Sequence, residues 1–171
     1  VTGSSEPTGL RRGVRLALDL GRVRIGVAAC DPDGILAHPV GTVAATDGSW
    51  AGSDPALAGL LAIVTEYEPF EVVVGLPRSL SGGDGPAATG IREQAARLAE
   101  ALAPYGVALR LVDERFTTTT ASRQLRSAGR SARQQRSVID QAAAVGILDH
   151  ALDLERRTGQ PPGEPVVSAP S

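Results

Sequence analysis

Apolar positions change their period along the chain, and the change marks out the elements. Val14–Asp19 reads as a strand, Gly21 and Arg22 turn the chain, and Arg24–Cys30 reads as a second strand. Asp31-Pro32-Asp33-Gly34 is a strong turn signal, and a third strand follows around Ile35–Val43. Short turns between three strands imply an antiparallel meander. Pro39 cannot donate to a sheet ladder, so the third strand is expected at an edge. Beyond Ser53 the spacing lengthens. Leu57, Leu60, Leu61 and Val64 repeat at helical intervals within Pro55–Glu66. Glu71–Gly75 is a short apolar strand of the kind buried on both faces. Pro86–Ala103 reads as a helix, Val107–Val112 as a fifth strand, and Thr118–Ala128 and Ser137–Arg157 as helices.

Strands alternating with helices imply parallel crossovers. The expected fold is therefore α/β: a mixed five-stranded sheet, three antiparallel strands followed by parallel crossovers, with helices on both faces. That is the layout of the ribonuclease-H-like fold. Residues 1–12 are small and polar and are expected to form a flexible arm, ahead of one domain over residues 13–157. Residues 158–171 carry four prolines and are expected to be a disordered tail.

Three carboxylates sit where solvation alone does not account for them. Asp19 ends an apolar strand just before Gly21, and strand tips of α/β sheets are where ligands gather. The same residue could instead form only an Asx turn. Glu114 closes the fifth strand beside Asp113; adjacent residues of an extended chain point to opposite sides, so one of the pair faces any shared site. Asp140 heads a helical face of Ala143, Ala144, Ile147, Leu148 and Ala151. A carboxylate there must be hydrogen-bonded, paired or bound to metal. Ser137-Val138-Ile139-Asp140 also fits a capping box with Ser137 as N-cap. Phosphodiester hydrolysis would use all three acids: two magnesium ions about 4 Å apart activate water and stabilise the leaving oxygen. Magnesium takes hard carboxylate oxygens.

Charge refines this reading. The net charge is only −2, but Arg110, Arg115, Arg123, Arg126, Arg130, Arg133 and Arg136 follow one another with only Asp113 and Glu114 as acids among them. Such a segment can track a phosphate backbone without reading bases. All seventeen basic residues are arginine, and aromatics are only 3% of the chain, so stacking platforms for single strands are not expected. The glycine-rich loop 76–86 precedes a helix, whose amides can receive a phosphate; Ser79 is its candidate contact. Cys30 is the only cysteine, which excludes an intrachain disulfide framework and a multi-cysteine metal site. No apolar run reaches membrane-span length and no signal pattern opens the chain, so a cytoplasmic location is expected.

Four ordered segments resemble the YqgF/RuvX family. They are Asp19-Leu20-Gly21-Arg22-Val23-Arg24-Ile25-Gly26-Val27-Ala28, Val73-Val74-Gly75-Leu76-Pro77, Asp113-Glu114-Arg115-Phe116-Thr117-Thr118, and Ile139-Asp140-Gln141-Ala142-Ala143 continuing to Ile147-Leu148. The resemblance implies a nuclease related to Holliday-junction resolvases. It implies that Asp19, Glu114 and Asp140 stand at the family's acidic metal-binding positions, with Mg2+ as cofactor and Mn2+ as its substitute. It also implies branched DNA or structured RNA as partner, in junction resolution, in 5′ trimming of pre-16S ribosomal RNA, or in both. A junction resolvase cuts opposed strands, so a homodimer is expected. Arg22, Arg24, Arg78, Ser79, Arg115, Arg123, Arg126, Arg130, Arg133 and Arg136 are the candidate nucleic-acid contacts. Val23 departs from the family's usual lysine, and Arg78-Ser79-Leu80 from its Leu-Asn-Met. The competing expectation is a non-catalytic nucleic-acid-binding factor in ribosome biogenesis or transcription.

Overall fold

A computed structural model describes residues 9–78, 82–114 and 132–168. In chain order the elements are β1 (Arg15–Leu20), β2 (Arg24–Cys30), β3 (Ala37–Ala44), α1 (Pro55–Tyr67), β4 (Glu71–Leu76), α2 (Pro86–Leu102), a 3-10 turn (Ala103–Tyr105), β5 (Ala108–Asp113), α3 (Ala132–Thr158) and β6 (Glu164–Pro165). The sheet order is β3-β2-β1-β4-β5-β6. The β1–β2 and β2–β3 pairs are antiparallel, and β1–β4 and β4–β5 are parallel. The expected meander and crossovers are thus present, and β3 lies at the edge. Its ladder slips between Val27 and Ala28, opposite Gly41 and Pro39, as a proline lacking an N–H allows.

Side-chain parity divides the core into two layers. Leu16, Leu18, Val72, Val74, Leu109 and Leu111 pack against Leu60 and Val64 of α1 and Ile91, Leu98 and Leu102 of α2. The alternate residues Ala17, Ala28, Val73 and Val112 face Ala144, Ile147, Leu148 and Ala151 of α3. Small side chains dominate the sheet on this second face, so α3 can lie close to it.

Two boundaries differ from expectation. α3 begins at Ala132, so Ser137 lies inside the helix and is not its N-cap. Ala132, Arg133, Gln134 and Gln135 are good helix formers with no breaker before Ser137, and they extend the helix upstream. The sheet has six strands and not five. The sixth comes from the segment expected to be a disordered tail: Arg110 pairs with Pro165 and Leu111 with Glu164. Arg110 ties the approach by donating to the carbonyls of Pro162 and Gly163. The helix expected over Thr118–Ala128 lies outside the described residues.

Part of the expected N-terminal arm is also fixed. Arg11 donates to Glu71 and Glu155, and Arg15 donates to Glu155 at 2.6 Å. Arg15, Glu71 and Glu155 are each only 1% exposed. Both guanidinium groups lie over the Phe70 ring, at 4.9 and 4.7 Å. This cluster joins the arm, β1, β4 and the end of α3 where the parallel strands begin. None of the described helices is long and apolar enough to cross a membrane.

Candidate active site at the carboxyl edge of the sheet

The parallel strands β1, β4 and β5 end together, and their carboxyl edge is where an α/β sheet presents chemistry. Asp19 is the next-to-last residue of β1 and shares the parity of Ala17, which faces α3. Glu114 follows β5 and shares the parity of Val112, which also faces α3. Its backbone N–H donates to the Leu76 carbonyl, holding it beside the end of β4. Asp113 has the opposite parity and lines a cleft with Arg78, Arg92 and Glu164. The two neighbouring acids therefore face opposite sides of the sheet, as the extended chain requires.

Two strand glycines set how closely these groups meet. Gly26 is the register partner of Asp19. A Cβ on Gly26 would lie 2.0 Å from the Asp140 carbonyl oxygen, so the backbone of α3 rests directly on β2 at that point. A Cβ on Gly75 would meet Ile147 Cδ1 at 2.5 Å and Glu114 Oε2 at 2.7 Å. Glycine within a strand is the signal of such an approach. The two bare positions seat α3 and leave room for the Glu114 carboxylate between helix and sheet.

The acids feel one another. Burial first, and then the Asp140 charge, push the Asp19 carboxyl up from 3.8 to about 6. Burial pushes Glu114 from 4.5 to about 7, reinforced by Asp19 and then Asp113. Like charges and desolvation both disfavour the ionised forms. Asp140 is held differently: Arg24 Nε donates to its Oδ2 at 3.0 Å, with both side chains about a quarter exposed. Asp19 is the common neighbour, because its charge acts on Glu114 and the Asp140 charge acts on it. Among the described residues, no group of three or more histidine, cysteine, aspartate or glutamate side chains is already drawn together for a metal. The chemistry of the donors nevertheless fits a hard divalent cation. All are carboxylate oxygens, and a cation between them would relieve the repulsion that raises Asp19 and Glu114.

The candidate nucleic-acid contacts divide. Arg22 is exposed in the β1–β2 turn and makes no ion pair among the described residues. Arg24, expected as a nucleic-acid contact, is engaged with Asp140; the alternating strand gave no means of seeing that partner. Arg78 closes its own loop, donating to the Gly82 carbonyl and pairing with Asp84 at 3.3 Å. Arg136 is exposed on α3, and Arg133 lies one turn earlier on that helix. Ser79, Arg115, Arg123, Arg126 and Arg130 lie outside the described residues.

Comparison with known proteins agrees with the fold. The family model described as RuvX, Holliday junction resolvase, matches residues 13–154. A Streptomyces coelicolor protein named "Putative pre-16S rRNA nuclease" is 58% identical over 157 residues, covering 92% of this chain and 90% of its own. A Thermobifida fusca protein of the same name is 52% identical, covering 94% of this chain and 100% of its own. Among solved structures, T. thermophilus RuvC in complex with a Holliday junction substrate superposes with a TM-score of 0.53 at 15% identity. That match covers 90% of this chain and 99% of RuvC, and at such identity it supports the fold alone.

Proposed function

Since the chain belongs to the RuvX family of Holliday junction resolvases, we propose that it is a metal-dependent endonuclease that hydrolyses phosphodiester bonds in structured nucleic acid. The observation that carries this reading is the charge state at the carboxyl edge. Asp19 and Glu114 are both raised by burial and by neighbouring acids, and Asp140 is seated on the register partner of Asp19. A protein gains nothing structural from acids that repel one another. A phosphoryl-transfer site gains a place for cations.

Asp19, Glu114 and Asp140 would hold the metal, with Mg2+ as the expected ion and Mn2+ as its substitute. When bound, the cation supplies Lewis-acid stabilisation of the phosphate and an activated water. The chain's own residues do the rest. Arg24 fixes the Asp140 carboxylate, and α3 fixes the height of that residue over β2. Arg22, and Arg136 on α3, offer guanidinium groups to the backbone phosphates on either side of the cut. Burial and the neighbouring acids favour the protonated form of Glu114 when no cation is present, so a cation held there would favour its ionised form.

The substrate is branched DNA, a 5′-extended precursor of 16S ribosomal RNA, or both. The family description supports the first, and the names of relatives above 50% identity support the second. Opposed cuts across a junction call for two sites, so the protein acts as a homodimer there. It works in the cytoplasm, where both substrates arise. Cleavage of a four-way DNA junction and of a precursor RNA, with Mg2+ or chelator, tests the reading. Asp19→Asn should bind both and cut neither. A wild-type chain that binds but never cuts with any divalent ion would make it a binding factor instead.

A further inference from the structure

On the α2 side of the carboxyl edge, four charged side chains form a run of ion pairs. Arg92 Nη1 lies 2.8 Å from Glu164 Oε1, and Arg92 Nε donates to Asp84 Oδ2 at 2.7 Å. The other oxygen of Asp84 lies 3.3 Å from Arg78 Nε, and Arg78 Nη2 donates to the Gly82 carbonyl. The run therefore starts on β6, crosses α2 and ends on Arg78, two residues beyond the end of β4. Leu76, the last residue of β4, is the one whose carbonyl holds the Glu114 N–H. Arg78 thus stands beside the proposed cation site, tied through three side chains to the last strand of the sheet.

Stability alone does not account for the run. Its four side chains are about a third to a half exposed, and pairs so placed add little to folding. Yet its acidic end is carefully seated. Gly163 holds a φ of +64°, and a Cβ there would lie 1.9 Å from the Leu111 carbonyl oxygen, so only glycine lets the chain descend onto β5. Beyond β6, Val166 donates its N–H to the Leu109 carbonyl at 2.9 Å and packs against the α1/α2 layer. Glu164 is thereby fixed on a strand and Arg92 on a helix. Arg78 has no such support of its own. It precedes a segment with Gly82, Gly83 and Gly85, where the backbone has little intrinsic stiffness. Asp84 bridges the firm part and the soft part, giving one oxygen to each guanidinium. The Arg92 hydrogen bond holds the Asp84 carboxyl below its ordinary value, which keeps it ionised between them.

We propose that Glu164, Arg92 and Asp84 are positioning residues that hold Arg78 in place to grip a backbone phosphate of the substrate beside the carboxyl edge. The inference rests on the nucleic-acid binding in the reading above and gives the C-terminal strand a part in it. A guanidinium carries five N–H donors, so pairing with Asp84 and Gly82 leaves it capacity for phosphate oxygens. An arginine ordered before the substrate arrives loses less side-chain freedom on binding. Two effects oppose each other here. The acids steady Arg78, but their charge also repels a phosphate. Solvent and salt screen the repulsion at exposed positions, whereas the geometric constraint is not screened. Positioning therefore prevails, and loss of Glu164 weakens binding. Were neutralisation the larger effect, the same loss would tighten it.

Binding is measured by gel shift with a four-way DNA junction and a precursor RNA, in the Asp19→Asn chain so that nothing is cut. Arg78→Ala should raise Kd about tenfold and lower the salt slope by about 1, as loss of one phosphate contact requires. Glu164→Ala should raise Kd about threefold, and Arg92→Ala at least as much. Glu164→Gln should restore most of the loss, because its amide oxygen still accepts from Arg92 although the charge is gone. In the Arg78→Ala background, Glu164→Ala should change nothing further, since the residue acts only through Arg78. Tighter binding by Glu164→Ala would overturn the proposal in favour of neutralisation. So would equal effects of the alanine and glutamine variants, or a loss that persists without Arg78, whatever the melting temperature. An Arg78→Ala chain with the parent's salt slope would overturn it as well. If that happens while the chain with Asp19 intact still cuts, the nuclease reading stands without this arm. The expected coupling in a chain that cuts with no divalent ion would keep the positioning and remove the nuclease.

Discussion

The two ends of the parallel strands handle buried charge in opposite ways. Where the strands begin, Glu155 meets Arg11 and Arg15, and Glu71 meets Arg11, so each acid has its countercharge built into the chain. Burial still pushes the Glu71 carboxyl upward, but Arg11 pulls it back. Where the strands end, Asp19 and Glu114 have acids as their electrostatic neighbours, and both rise to about 6 and 7. The first arrangement fastens the fold. The second sets acid beside acid, the arrangement that a bound cation would relieve, and this difference sets a structural cluster apart from the proposed site on physical grounds.

Mutations break the comparison most sharply at its extremes. Asp19→Asn should reduce cleavage about 10²-fold or more if Asp19 serves as the proposed cation ligand, while binding of substrate persists in a gel-shift assay. At the other pole, Glu155→Ala should destabilise the fold by about 3 to 5 kcal/mol in chemical denaturation, because Arg15 is left buried without its acid. Loss of an acid at one end thus removes activity, and at the other it removes stability.

Titration sharpens the contrast. Without cations, Asp19 and Glu114 bind protons in the folded state at pH values where the unfolded chain has released them. Stability therefore falls as pH rises from about 4 to about 7, and it is greater on the acid side of that window. For Asp19 alone the loss is about 3 kcal/mol. Thermal melts in chelator should show it, millimolar Mg2+ should reverse it, and Asp19→Asn should flatten part of the slope. A slope of the opposite sign would mean that the carboxyl edge is already neutralised. A smaller effect is expected for Arg24→Ala. The exposed part of its pair with Asp140 limits the stability change to about 1 kcal/mol or less, yet cleavage should fall several-fold, because the Asp140 carboxylate loses its tether. The smallest is Arg136→Ala, which should weaken binding evenly across sequences and lower the salt slope by about 1.

Much of this was legible in the chain and some was not. Strand periodicity located β1, β2, β4 and β5, and parity set Asp113 and Glu114 on opposite sides, while only the family resemblance singled out Glu114. The apolar stripe behind Asp140 foretold its seat on the sheet. The start of α3 was misread because Ser137 offers a local cap that the stronger helix formers upstream override. β6 was missed because four prolines over residues 158–171 read as a disordered tail, although two residues suffice to pair with the edge of β5. The Arg15–Glu155 pair joins residues 140 apart in sequence, and no periodicity encodes a partner at that distance.

The seat of α3 has one more consequence. A helix is stiff along its axis, and Glu155 and Asp140 are fifteen residues apart on it, about 22 Å. One is anchored among arginines, and the other lies over β2 beside the carboxyl edge. The helix is therefore a ruler with its zero at the far pole: a slip of the Glu155 anchor by one ångström is delivered, undiminished, to the carboxylate at the proposed cation site.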